Sequence, residues 1–450
     1  MEKQNYLKGG NSMEIAELIT DLKAKESEEA YWDFRRNDQR EHVHSMIKYP
    51  AVMVPNMQGE IFDLVLKHDC DIHNVLDPFM GSGTILVEGL IRNLNVIGVD
   101  INPLSYLAVL SKTQKYAKKT LREKAKQLLQ RIKKIQDQEI VLHNFEGINK
   151  WYVDDVIRDL SKLRFCIMQE PDVKYRRFFW ITFADIAKQA DNARTSTFKL
   201  HIKLEETIRE TEFDCVQKFV EKLRSNINAV FEFKALRHSG TTRIYCGDSK
   251  TIFSNRRSFP KNSVDLVITS PPYGDNATTI TYGQYSVLPL RWIPLTDIGD
   301  TISDESIISL SKIDRDSLGG VNYSLDQLEQ SGILQASNQL NDFVNMLLNE
   351  KMTDKARKVA SFILDFSEVL QNLSSIVKPG KLLIFTVGNR HVNKTEFPLH
   401  LVLKELAELY GMNMCYDFRR NIIKNKNYVD TSVQGFKTIN KETIMILQKR

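Results

Sequence analysis

Ser270, Pro271, Pro272 and Tyr273 stand in a row just beyond an apolar run, "VDLVI", and Thr269. Neither proline has an N–H for a sheet ladder, so a strand arriving here has to stop. A Pro-Pro pair suffices as a plain strand terminator. The same corner also presents a hydroxyl at Ser270, a carbonyl of fixed direction at Pro271 and an aromatic ring at Tyr273. Which reading applies depends on what else the chain brings to that place.

A second group with chemical content is "DPFMGSGT", residues 77–84, a glycine loop between an apolar run and a helical pattern. It lacks the third glycine of the dinucleotide fingerprint and the Lys-Ser/Thr of a P-loop, which argues against a phosphate cradle. Gly81 and Gly83 still let backbone approach a flat, uncharged ligand such as adenosine, although a tight structural turn uses the same residues. About twenty residues on, "GVDINP" ends a run on Asp100, where an acid accepts both hydroxyls of a ribose. "CGDS" offers a third acid, Asp248. Each carboxylate alone serves equally well as a cap or turn residue. Asp77, Asp100 and Asp248 together, in that order, mark the carboxyl ends of adjacent strands, where α/β sheets bind ligands.

The elements that position these groups are legible in the periodicity. "NVLDPF" (74–79) and "NVIGVD" (95–100) are short apolar runs joined by "MGSGTILVEGLIRNL", a glycine turn followed by helical spacing. This is a strand-loop-helix-strand unit that opens a parallel sheet. Strand character resumes at 241–249 and 264–270. Between them, 111–240 is too long for a crossover and reads as an inserted helical subdomain. Residues 274–352 read as polar and loop-rich, about 354–377 as a long helix, and "KPGKLLIFTVGN" as a turn feeding a strand. The last segments, "NMCYDFRRNII" and "KETIMILQKR", predict an antiparallel pair at the sheet edge.

A chain of 450 residues, 42% hydrophobic and 26% charged, has the composition of a soluble globular protein. No apolar run approaches the roughly 20 residues that span a bilayer, and the polar start has no signal-peptide core, so a cytoplasmic location is expected. The five cysteines are scattered without a CxxC and the nine histidines form no HExxH, so neither disulfides nor a metal is expected. The net charge of +5 is mild, but Lys112–Lys134 holds ten basic residues against one acidic. It predicts a helix with a basic face, either solvated or set against a polyanion.

Taken together, these motifs resemble those of the S-adenosylmethionine-dependent DNA amino-methyltransferases, which methylate exocyclic amines of cytosine or adenine. The resemblance spans roughly residues 42–450, leaving 1–41 as a polar helical extension. It implies a Rossmann-like α/β methyltransferase sheet with an antiparallel edge hairpin: a cofactor-binding half over 42–110, a helical insert over 111–240 and a catalytic half over 241–450. In that family the glycine loop holds S-adenosylmethionine, which implicates Asp77, Pro78, Phe79, Gly81, Ser82, Gly83 and Thr84. Asp100 and Ile101 then stand at the ribose, and Asp248 and Ser249 at the adenine. "HVHSMIKYPAVMVP" is similar to the segment beside the methionine end, with Tyr49, Pro50 and Ala51 at its centre. "TYGQYSVLPLRW", "FTVGNRHV" and "DNARTSTFK" are similar to stretches in a subset of site-specific DNA methyltransferases.

Ser270, Pro271, Pro272 and Tyr273 match the family's catalytic tetrapeptide. An exocyclic amine is a poor nucleophile because its lone pair is delocalised into the ring. The Ser270 hydroxyl and Pro271 carbonyl would hold its hydrogens in the base plane, and Tyr273 would stack on a base swung out of the duplex. Serine at the first position goes more often with the 4-amino group of cytosine; adenine is the alternative. The resemblance further implies double-stranded DNA as partner, a role in restriction-modification or phage defence, and a cognate restriction endonuclease. Contacts to DNA are expected from Lys118, Lys119, Arg122, Arg194 and Lys199 in the insert, and from the loops within 274–352. Arg176 and Arg177, in "YRRFFW", are further candidates, whereas Phe179 and Phe183 read as core. The acid-rich "TDIGDTISDESI" reads as a solvated loop. An RNA guanine-N(2) methyltransferase and a non-catalytic S-adenosylmethionine-binding specificity factor are the other readings.

Overall fold

The computed structural model describes residues 15–34, 41–195, 199–210, 212–275, 279–300, 302–422 and 440–450. The apolar runs become strands β1 (Asn74–Asp77), β2 (Asn95–Asp100), β3 (Thr242–Cys246), β4 (Val264–Thr269) and β5 (Val377–Gly388). A two-residue pair, β6 (His391–Val392) and β7 (Thr395–Glu396), precedes β8 (Met412–Asn421) and β9 (Lys441–Lys449). The main sheet has the order β3-β2-β1-β4-β5-β9-β8. β1 to β5 are parallel to one another, and β9 runs antiparallel between β5 and β8. This is the Rossmann-like sheet with an antiparallel edge pair that the sequence predicts. Its order reverses between β1 and β4, which opens a crevice beyond their carboxyl ends.

The inner strands are continuous apolar runs because both faces are covered; all six residues of β4 are buried. Alternate residues feed opposite layers. Val75, Val96, Leu266 and Ile384 join one buried cluster with the helices Thr84–Ile91 and Pro103–Thr113. Leu76, Ile97, Val267 and Phe385 join a second with the helices Thr353–Ile376 and Leu399–Leu409.

The stretch between β2 and β3 is helical, with its longest helices at Lys118–Lys134, Asp154–Met168, Val173–Gln189 and Cys215–Ala235. Its apolar residues belong to the first cluster, including Phe178, Phe179, Trp180 and Phe183, all fully buried. Ahead of the sheet, the helix Ile15–Glu26 buries Leu18 and Leu22. The Trp32 ring lies 4.6 Å from that of Phe418 on β8, and Asn421 N donates to Asp33 Oδ1.

Two expectations need correction. The section after the tetrapeptide is not chiefly loop: it carries the helices Tyr282–Leu290 and Asn338–Asn349 and several shorter ones. Serine caps found only in the folded chain start some of them, with Ser324 forming a capping box and Ser337 accepting from Leu340 N. The acid-rich stretch also does not begin as a solvated loop. Asp297 is buried, where it receives two hydrogen bonds from Arg176 (2.9 and 2.7 Å) and one from Trp180 Nε1 (2.8 Å). Arg177 Nε donates to the Asp297 carbonyl. Arg176 and Arg177 thus tie the helical stretch between β2 and β3 to the section after β4, and the Arg176 guanidinium is engaged within the protein.

Candidate active site

The carboxyl ends of β1 to β4 open into one cleft, the place where open α/β sheets bind ligands. Tyr49, Pro50 and Ala51 line it from the segment ahead of the helix Pro55–His68. Phe79, Gly81, Ser82 and Thr84 line it from the glycine loop, and Asp100 and Ile101 from the end of β2. Asp248 and Ser249 come from beyond β3, and Ser270 and Pro272 from beyond β4. The cofactor-type motifs and the Ser-Pro-Pro-Tyr corner therefore share a cavity.

The other predicted residues sit around that lining. Asp77 lies fully buried under the loop, where its Oδ1 accepts from Thr269 Oγ1 (2.6 Å) and from Phe79 N (3.1 Å). Its Oδ2 is buried with no protein partner among the described residues. Burial pushes the Asp77 carboxyl up to about 7, partly offset by those two hydrogen bonds. The Pro78 carbonyl accepts from Ser249 Oγ. Gly83, at φ 82°, caps the helix Thr84–Ile91 from the left-handed region. A Cβ there would lie 2.7 Å from a Val109 methyl. Pro271 is buried, and Tyr273 is half-buried with its hydroxyl donating to Glu442 on β9.

Asp100 binds the glycine loop to β2. Its Oδ2 accepts from Gly81 N (2.8 Å) and its Oδ1 from Asn102 N (2.9 Å). Burial raises its pKa, against the pull of those N–H groups. Asp248 is raised by burial as well; Lys250 Nζ stands 3.7 Å from its Oδ2 and 3.3 Å from Asp365 Oδ2.

Over 416 residues, 87% of this chain and 87% of the relative, the sequence is 28% identical to the Type II methyltransferase M.MvaI of Kocuria varians. A stretch of 80 residues, 18% of this chain and 14% of the relative, is 35% identical to the Type II methyltransferase M.MjaII of Methanocaldococcus jannaschii. These relatives support a methyltransferase enzyme. No family model matches the chain. The overlay on the rRNA methyltransferase aviRa of Streptomyces viridochromogenes covers 89% of this chain and 86% of that one at 11% identity. Its TM-score of 0.31 is too low to bear on function.

Several residues of this methyltransferase's cleft escaped the sequence reading. Asn102 caps the helix Pro103–Thr113 by accepting from Leu104 N, and its amide donates to Tyr49 Oη (3.1 Å) and Ser286 Oγ (2.8 Å). Tyr49 in turn stacks on Tyr282, with centroids 6.0 Å apart and planes at 24°. An Asn-Pro pair is a legible helix start, but nothing local signals its reach to Tyr49. Ile313, Ser317 and Leu318 close another wall. Lys112, read as the start of the basic surface run, is instead 1% exposed and donates from Nζ to the Ser82 carbonyl at 2.7 Å.

The five candidate DNA contacts lie away from the cleft lining. Lys118, Lys119 and Arg122 are exposed on the helix Lys118–Lys134, where Lys118 and Arg122 also cover the Phe231 ring. Arg194 and Lys199 are exposed too, although Arg194 Nε donates to the Ile202 carbonyl. Ser196–Phe198 of "DNARTSTFK" and Asn276–Thr278 beyond the corner fall outside the described residues. Among the described residues, no group of three or more His, Cys, Asp or Glu could hold a metal ion. None of the described helices is long and apolar enough to cross a membrane.

Proposed function

We propose that this enzyme is a site-specific DNA methyltransferase acting on the exocyclic 4-amino group of cytosine in duplex DNA. The observation carrying this reading is the meeting of Ser270 and Pro272 with Gly81, Asp100 and Asp248 in one cleft. S-adenosylmethionine suits its chemistry. Asp100 and Asp248 offer acceptors for sugar and base, and the unpartnered Asp77 Oδ2 beneath the glycine loop is a fitting acceptor for an ammonium group. When bound, the cofactor supplies a sulfonium methyl, so that a C–N bond to the amine forms as the S–C bond breaks. The protein's part is orientation. Ser270 Oγ and the Pro271 carbonyl accept the amine hydrogens, which turns the nitrogen lone pair out of conjugation, and the prolines keep the carbonyl aimed. No strong base is required, because the methylated ammonium is far more acidic than the amine.

Tyr273 then offers a ring to a base swung out of the duplex, and the exposed cations of the insert meet phosphates. Relatives named Type II methyltransferases suit the further proposal of a place in a restriction-modification system, with a cognate endonuclease as partner and the cytoplasm as location. Incubating unmethylated duplex with labelled S-adenosylmethionine and separating the nucleosides tests the reading. Label in N(4)-methylcytosine is expected. Label in N(6)-methyladenine overturns the base assignment alone, and label only in RNA overturns the substrate class.

A further inference from the structure

Holding an amine N–H requires an acceptor, yet a serine hydroxyl both donates and accepts. The surroundings of Ser270 supply the missing direction. Its Oγ lies 3.3 Å from Tyr273 Oη, and Tyr273 Oη donates to Glu442 Oε1 at 2.9 Å. Glu442 stands near the start of β9, and its Oε2 lies 2.8 Å from Nε of Arg420 on β8, a guanidinium 6% exposed. A carboxylate at neutral pH only accepts, so the phenol hydrogen is committed to Glu442. The phenol oxygen is left to accept, and the only hydrogen available to it from Ser270 is the hydroxyl's own. Burial, with Glu442 beside it, holds the tyrosine well above its ordinary pKa, which keeps the phenol protonated.

We infer that Glu442 is a positioning residue for methyl transfer: through Tyr273 it turns the Ser270 hydrogen away from the substrate and leaves the Oγ lone pairs to the amine. The inference rests on the proposed reading of the corner as an amine-holding site. The positive charge of Arg420 beside Oε2, an ion pair rather than an aligned hydrogen bond, favours one orientation of an isosteric amide in place of Glu442. In Glu442→Gln the amide oxygen turns to the guanidinium and the NH₂ to Tyr273. The relay reverses: the amide donates to the phenol, the phenol donates to Ser270 Oγ, and the serine hydrogen is driven toward the incoming amine.

Methyl transfer into unmethylated duplex is measured for wild type, Glu442→Gln, Tyr273→Phe and the double variant, with S-adenosylmethionine affinity by calorimetry. Glu442→Gln is expected to lower kcat by roughly 100-fold, the scale of a misdirected catalytic hydrogen bond, with cofactor affinity unchanged. Tyr273→Phe breaks the relay and frees the serine rotor, so its loss is smaller, about 10-fold. The double variant is expected to return to the Tyr273→Phe level, because the reversed phenol donor is gone. A merely structural role gives losses that add. Wild-type kcat in Glu442→Gln, or a double variant no better than Glu442→Gln, overturns the inference. If Glu442→Gln does not fold, an unchanged kcat in Tyr273→Phe overturns it, and a lowered one with intact cofactor binding supports it. A wild-type protein that binds S-adenosylmethionine but labels neither cytosine nor adenine overturns the proposed function and this inference together; that control separates the two failures.

Discussion

Thr269 Oγ1 donates to Asp77 Oδ1 at 2.6 Å, joining the last residue of β4 to the last residue of β1. One bond therefore couples the strand that delivers the Ser-Pro-Pro-Tyr corner to the strand that delivers the glycine loop. The two lie side by side where the strand order reverses.

Asp77 gives the first prediction. Its carboxyl is raised in the folded chain from 3.8 to about 7, with burial the first cause. The folded state therefore holds a proton that the unfolded state releases above about pH 4. Its contribution to stability is present below that pH and is lost as pH rises through about 7. The loss is on the order of 1.4 kcal/mol per pH unit across the window. Asp77→Asn is expected to remove this slope. Denaturant titrations of both proteins from pH 4 to 8, about the window in question, check it; parallel curves refute the assignment. Cofactor affinity is expected to move the opposite way in the wild type, strengthening toward pH 8 as the carboxylate forms.

Binding and chemistry are expected to separate by mutation. Asp100→Ala removes the acceptor for Gly81 N and the proposed acceptor for the ribose, and is expected to weaken S-adenosylmethionine binding by about 10- to 100-fold. Ser270→Ala is expected to keep that affinity and lose most methyl transfer. Calorimetry beside a label-transfer assay distinguishes them, and equal affinity losses in both variants would contradict the placement of Ser270 at the base.

Gly83→Ala tests the loop. The left-handed φ costs an alanine about 1 kcal/mol, and its Cβ also meets Val109 at 2.7 Å. Combining it with Val109→Ala is expected to recover the steric part of the lost melting temperature and leave the backbone part. Full recovery would mean that the φ requirement is unimportant.

On the insert, charge reversal at Lys118, Lys119 and Arg122 is expected to weaken DNA binding equally across sequences. Each lost phosphate contact flattens the log–log salt dependence by roughly 0.9. An unchanged slope would make this helix an ordinary solvated face.

The sheet was legible because parallel strands covered on both faces are nearly unbroken apolar runs: β2 was bounded to the residue, and β4 to within one. The cleft lining was legible where a motif has fixed spacing, as at Gly81, Asp100 and Asp248. What escaped depends on distant partners. Lys112 sits in a run of cations that looks solvated, and only the packing of the helix Pro103–Thr113 under the glycine loop shows that its ammonium is consumed by Ser82. Arg176 and Asp297 are 121 residues apart and each resembles surface charge until the two are paired. Glu442 lies 169 residues from Tyr273, and no spacing rule connects them.

The motifs begin at about residue 42, yet the folded unit does not. Leu18, Leu22 and Trp32 belong to the same buried cluster as the inner strands, and Asp33 receives the Asn421 backbone N–H at the end of β8. A shortened chain starting at the first recognisable motif would keep every chemical group of the cleft. It would also strip the covering from Phe418 and free the Asn421 backbone N–H of β8, the edge strand among the described residues and so a template for pairing with other chains. Such a protein is expected to fail by self-association, with its machinery for methyl transfer complete.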